Sequence, residues 1–184
     1  MELRSVIIAP GSPLNEDVAR LLLEQFPAEE QLTVSDLQEW DEKGIADYRA
    51  YLDGEQFVGF TFIIRLEKLA YGMFLATDGR LQSKGYGSRI MDIVAREIVR
   101  DRVFCYCIEP LDETAENAEQ RQRRLRFYER LGLKLSGYAL DFSIPYWIMC
   151  NRLEDFDPQE MAKLLVLLFE DETPDIIPMK PERL

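Results

Sequence analysis

The sequence predicts an α+β domain: a mixed, mostly antiparallel central sheet flanked by helices, with one more helix added at the C-terminus. Three observations carry that reading. Two strand patterns, Tyr48 to Leu52 and Phe57 to Leu66, flank Asp53-Gly54, a strong short hairpin signal. An apolar strand, Leu69 to Thr77, passes through Asp78-Gly79 into a segment where Ile90, Met91, Val94, Ala95 and Ile98 recur at helical spacing. After Asp157-Pro158, Met161, Leu164, Leu165 and Leu168 line one face of a closing helix. At 184 residues and 47% hydrophobic composition the chain is long enough for one domain with a full core. It reads as a body over 1–155 with a C-terminal helix and Pro-containing tail over 156–184.

Taken in order, Leu3 to Ala9 is a β-branched strand stopped by Pro10-Gly11. Ser12 before Pro13 is a fair N-cap, and Val18, Leu21, Leu22 and Phe26 share one face of the helix that follows. Thr33 to Lys43 reads as a second helix, with Ser35 near its start, Gly44 past its end, and Leu37 and Trp40 inward. Gly59 interrupts the second hairpin strand, as a glycine does at a bulge, at a close backbone approach, or as a surface accommodation. The motif helix opens over Gln82 to Ser88 and ends near Val99. In the strand Arg102 to Ile108, alternation puts Val103, Cys105, Cys107 and then Glu109 on one face, and Phe104, Tyr106 and Ile108 on the other. Glu116 to Leu131 is a helix, and Leu135 to Phe142 and Tyr146 to Cys150 are closing strands divided near Pro145. In the last helix Val166, Leu167 and Phe169 widen the apolar stripe, so it either packs deeply or pairs with a second copy in a homodimer. The tail, with Pro174, Pro178 and Pro181, reads as an extended arm or as disordered.

Composition narrows the function. A net charge of −12 argues against a nucleic-acid partner, whose phosphates it would repel. That acidity serves solubility alone or attracts a cationic amine. No apolar run reaches the roughly 20 residues of a membrane span, and no leader pattern opens the chain, so the expectation is a cytoplasmic protein with no membrane partner. Three cysteines, an odd number, fit a reducing compartment; with no His in the chain to complete a ligand set, no metal is expected.

The chemistry concentrates in the turn after Thr77. Gly85 and Gly87 lack a Cβ, so backbone there can approach a ligand, and the first N–H groups of a helix have no internal partners. An anion fits such a place. The ATP-type loop needs a Gly-Lys-Ser/Thr triplet that is absent, and the dinucleotide fingerprint wants a small residue where Ile90 stands. Gln82-x-x-Gly85-x-Gly87, after a strand ending Leu75-Ala76-Thr77-Asp78, resembles the acetyl-CoA-binding motif of the GNAT N-acetyltransferase superfamily. A second segment, Phe127-Tyr128-Glu129-Arg130-Leu131-Gly132-Leu133, resembles that family's Phe-Tyr-x-x-Leu-Gly-Phe signature, in the family's order.

The resemblance implies a GNAT-like fold and transfer of an acetyl group from acetyl-CoA to a primary amine on a small molecule or peptide. It implies that Leu75, Ala76 and Thr77 hold the coenzyme's arm and supply a backbone donor to the reacting oxygen. Gln82, Ser83, Lys84, Gly85, Tyr86, Gly87 and Ser88 would take the pyrophosphate, and Tyr128 would be the general acid for the departing thiolate. An alkyl amine with a pKa near 10.4 must shed a proton before it attacks. Among carboxylates Glu109, at a strand end near the motif strand, is the first choice of base; pairing with an arginine is its other reading. Trp40 has two readings as well, simple packing or lining the acceptor site. Between Glu116 and Lys134 six basic residues (Arg121, Arg123, Arg124, Arg126, Arg130, Lys134) face three acidic ones (Glu116, Glu119, Glu129). This basic island either attracts the coenzyme's phosphates or pairs with the protein's own carboxylates. Arg121 stands where the family often places an Asn that contacts the coenzyme. Two rival functions remain open: a GNAT-fold protein that binds acyl-CoA or a partner without turnover, and an assembly role.

Overall fold

The structure, a computed structural model, describes residues 3–26, 30–81, 84–169 and 173–179. It divides into two compact units, one of residues 1–65 and 72–100, the other of 66–71 and 101–184. The strand pairings described in the two units are antiparallel, and five α-helices stand among the described residues, in agreement with the α+β reading.

In the first unit the strand order is β1 (Leu3–Ile7), β2 (Ala46–Asp53), β3 (Gln56–Arg65), β4 (Leu69–Thr77), the first three residues of β4 belonging to the second unit. The β2–β3 hairpin turns at Gly54-Glu55, one residue later than the sequence suggests: Asp53 is still a strand residue, opposite Gln56, and Gly54 takes the positive φ of 65°. A glycine leading a two-residue loop matches the right-handed twist of the strands it joins. The register between β2 and β3 slips so that Tyr51 faces Gly59 while Leu52 faces Phe57, which leaves Val58 as the extra residue of a bulge. Gly59 is needed there for room, because a Cβ would enter the shell of the Ala76 carbonyl oxygen and come within 3.0 Å of the Thr77 Cα.

Helix α1 (Leu14–Gln25) buries Val18, Leu21 and Leu22, and Phe26 just beyond it meets the Phe74 ring edge-on at 4.9 Å. Pro13 takes the N-cap place while Ser12 Oγ accepts from the Leu14 N–H, one position off the expected cap. Helix α2 (Val34–Glu42) begins with a capping box between Thr33 and Asp36, and its Trp40 packs on Phe62 at 6.0 Å. Helix α3 (Tyr86–Val94) starts later than expected, with Gly85 outside it as the N-cap, and runs on into a π-helical turn over Ala95–Val99. Arg49 ties β2 to this turn and to β1, donating to Asp47 at 2.7 Å, Glu97 at 2.7 Å and Ser5 at 3.2 Å.

In the second unit the order is β5 (Val103–Ile108), β7 (Pro145–Cys150), β6 (Lys134–Asp141), β8 (Asp175–Pro178). Part of the tail read as an arm or disorder is therefore a strand: Ile176 and Ile177 lie opposite Leu140 and Ala139 of β6. Helix α4 (Ala118–Arg130) presents its buried Tyr128 to β5, and α5 (Pro158–Phe169) buries Met161, Leu164, Leu165 and Leu168. The wider stripe has another fate, since Val166 is 55% and Leu167 49% exposed, while Phe169 packs on Phe142. Cys105 and Cys150 face each other across β5 and β7 as free, buried thiols. Among the described residues there is no metal-binding cluster and no helix long and apolar enough to cross a membrane.

Candidate active site

The first unit holds the bend. Along β4, Leu75 and Thr77 are half-buried while Ala76 is buried with its carbonyl against Gly59. Asp78 follows and is almost wholly buried, its side chain 2% exposed, yet its charge is met from two sides. Arg80 bonds both its oxygens, Arg20 of α1 reaches Oδ2 at 3.0 Å, and the Arg80 N–H donates to Oδ1 at 2.9 Å. The Arg80 hydrogen bond above all holds the Asp78 carboxyl well below the usual carboxylate range, against the opposing effect of burial. The Asp78 N–H in turn donates to the bulged Val58 carbonyl at 2.7 Å. The chain thus leaves β4 in a fixed direction.

Beyond it, Lys84, Gly85 and Ser88 are exposed, with Tyr86 and Gly87 half-buried; Gln82 and Ser83 lie outside the described residues. Gly85 sits at φ 76°, a left-handed conformation that glycine adopts without a Cβ penalty. Among the described residues no side chain caps α3, whose first intrahelical bond is from the Arg89 N–H to the Gly85 carbonyl at 3.2 Å. The N–H groups of Tyr86, Gly87 and Ser88 precede that bond and carry the positive end of the helix dipole. That donor set suits a diphosphate.

The second unit holds the candidate acid. Tyr128 is 2% exposed, with its ring 4.4 Å from that of Tyr106 and a hydrogen bond between the two side chains. Burial first, and Tyr106 after it, raise its pKa well above the ordinary phenol value. Cys107, hydrogen-bonded to Tyr71, is pushed up to about 12 by burial, so it holds its proton at neutral pH.

Glu109 shows the arginine pairing that was its other reading. Its carboxylate, 11% exposed, is held by Arg121 at 3.0 Å, by Arg124 at 3.0 Å and by Asn117 at 3.0 and 3.3 Å. Both oxygens therefore have donors within the unit. Arg121 is equally committed: besides Glu109 it donates to Asn117 Oδ1 at 2.7 Å and to the Pro110 carbonyl at 3.0 Å. The basic island is therefore divided. Arg121 and Arg124 pair with the protein's own carboxylate, whereas Arg123, Arg126, Arg130 and Lys134 are exposed and, among the described residues, in no ion pair.

Three partners of these residues escaped the sequence reading: Arg20 for Asp78, Asp53 for Tyr86 and Tyr106 for Tyr128. The first two are 58 and 33 residues from their mates and the third lies on another element, so no local pattern announces them.

Residues 15–133 match the family described as the acetyltransferase (GNAT) family. The chain belongs to that family. The acetyltransferase also shares its fold with solved structures. A GNAT-family protein of Bacteroides thetaiotaomicron is 23% identical, with 87% of this chain and 92% of that one covered and a TM-score of 0.68. A chimera of the Vibrio cholerae spermidine N-acetyltransferase SpeG and hSSAT is 15% identical, covering 82% and 95%, at 0.63. A GNAT acetyltransferase of Elizabethkingia anophelis with acetyl-CoA bound is 12% identical, covering 81% and 95%, at 0.55. No curated relative matches the sequence significantly. Acetyl-CoA is the acetyltransferase's coenzyme, and the open donors at the start of α3 fit its diphosphate.

Proposed function

We propose that the protein transfers the acetyl group of acetyl-CoA to a primary amine, with a cationic small molecule as the acceptor. The observation that carries the reading is the uncapped, exposed start of α3 behind a left-handed Gly85. Lys84, Gly85, Tyr86, Gly87 and Ser88 would hold the coenzyme's diphosphate, and Gln82 and Ser83 belong to the same motif. The backbone of Leu75, Ala76 and Thr77 would hold its arm. When bound, the coenzyme supplies an acetyl thioester.

Tyr128 keeps a proton on its Oη because burial disfavours the phenolate, so it can hydrogen-bond and stabilise a departing thiolate. With both oxygens of Glu109 taken, the amine's proton leaves to water, and turnover should climb with pH toward the amine's own pKa, near 10.4. A cationic acceptor is favoured by the charge of −12 and by fold likeness to a spermidine N-acetyltransferase. The engaged Glu109 favours one rival, an acyl-CoA-binding protein without turnover.

The test has two readouts. At about 100 times its dissociation constant acetyl-CoA should stabilise the protein by roughly 2.7 kcal/mol, or about 5 to 10 °C in Tm. Cleavage of the thioester in a panel of polyamines and other primary amines should then exceed background. No shift would refute the proposal; a shift with no turnover on any amine would hand the site to the rival.

A further inference from the structure

Tyr86 stands between the two glycines of the bend, where the motif itself specifies no side chain. Its side chain is nonetheless anchored: the hydroxyl donates to Asp53 Oδ2 at 2.8 Å, and the Arg89 guanidinium lies 5.3 Å over the ring. Asp53 ends β2 and is placed by two ladders, opposite Leu3 of β1 and Gln56 of β3. Its other oxygen, Oδ1, is buried without a partner among the described residues, so the Tyr86 hydroxyl is a donor this carboxylate can ill lose. The hydrogen bond joins the hairpin end of the sheet to the first residue of α3, 33 positions along the chain.

We infer that Asp53 is a positioning residue for the coenzyme: acting through Tyr86, it fixes the first turn of α3 so that its free N–H groups converge on the diphosphate. This rests on the proposed function. A preorganised donor set binds an anion without first ordering itself, so the tie acts on affinity. The Asp53 charge works the other way, since a carboxylate beside an anion site repels the ligand. Arg89, stacked on the same ring, brings an opposite charge to the same place. Asp53 therefore contributes as an acceptor, and its negative charge is dispensable.

Four variants separate these roles, each measured by calorimetric titration with acetyl-CoA and by steady-state kinetics. Tyr86→Phe keeps the ring under Arg89 and loses only the hydrogen bond; it should raise Kd about tenfold, on the order of a hydrogen bond to a charged group. Asp53→Ala removes the same contact together with the opposing charge, so it should raise Kd by no more than Tyr86→Phe does, and the double variant should be no worse than Tyr86→Phe alone. Asp53→Asn, which can still accept from the hydroxyl, should bind acetyl-CoA as tightly as wild type or more so. The losses should fall mainly on KM for acetyl-CoA rather than on kcat. If wild type binds the coenzyme while Tyr86→Phe binds it equally well, or if the two effects multiply, the inference fails and the proposed function stands. If wild type does not bind, both fail together. Should Asp53→Ala not fold, Tyr86→Phe and Asp53→Asn carry the test alone.

Discussion

A buried tyrosine can serve as an acid only while it holds its proton, and Tyr128 is built to hold one. Its pKa is raised, so the protonated form persists as pH climbs and is lost only above the ordinary phenol value near 10. This group should give no falling limb in a kcat profile below about pH 10. Tyr128→Phe should keep the thermal shift with acetyl-CoA and lower kcat about 100-fold, the lower range for acid catalysis; an unchanged kcat would remove Tyr128 from the reaction. Asp78 has the opposite sign. Its folded pKa is depressed, so the stability it contributes is complete above the ordinary carboxylate value near 4 and drains away as pH falls below it. Asp78→Asn should cost about 1–3 kcal/mol at pH 7 in urea unfolding, and the gap to wild type should narrow by pH 3. At this scale the sequence was legible where chemistry is local and silent where it is not. The helix end that carries Tyr128 could be read from a motif, but the engagement of Glu109 by Arg121 and Arg124 comes only when α4 folds back beside the loop after β5.

Elements carry their own logic. Strand β4 and the helix after it were readable because an apolar run, a turn pair and a 3.6-residue period are properties of neighbouring residues. The late start of α3 was not, since Gly85 is helical by spacing and becomes an N-cap only by taking a positive φ. Gly85→Asp should therefore abolish the shift with acetyl-CoA: it strains the left-handed position by about 1–2 kcal/mol and sets a carboxylate beside the diphosphate donors. Retained binding would detach the bend from the coenzyme. Gly59 was legible as an irregularity with three readings, of which the bulge and the close approach both hold. Gly59→Ala should lower Tm by several degrees, as overpacking of about 1–3 kcal/mol does. It should weaken acetyl-CoA binding as well, because the backbone that must yield is that of Ala76 and Thr77.

For the molecule as a whole, composition set the limits well. Length and patterning gave the α+β class. The tail was the hardest part to read, because prolines bracket a four-residue strand whose only warrant is the ladder it completes with β6. That ladder governs where the polypeptide can be cut. The family match stops at residue 133, yet β6, β7, α5 and β8 all follow it in the second unit. An expression fragment ended there would strip β5 of the neighbour it pairs with in β7. One ended at residue 172 would unzip β8 and offer the bare rim of β6 to any passing chain. Light scattering at rest should therefore rise for the 1–172 fragment and stay flat for the 184-residue chain, so useful boundaries follow the strands rather than the motif.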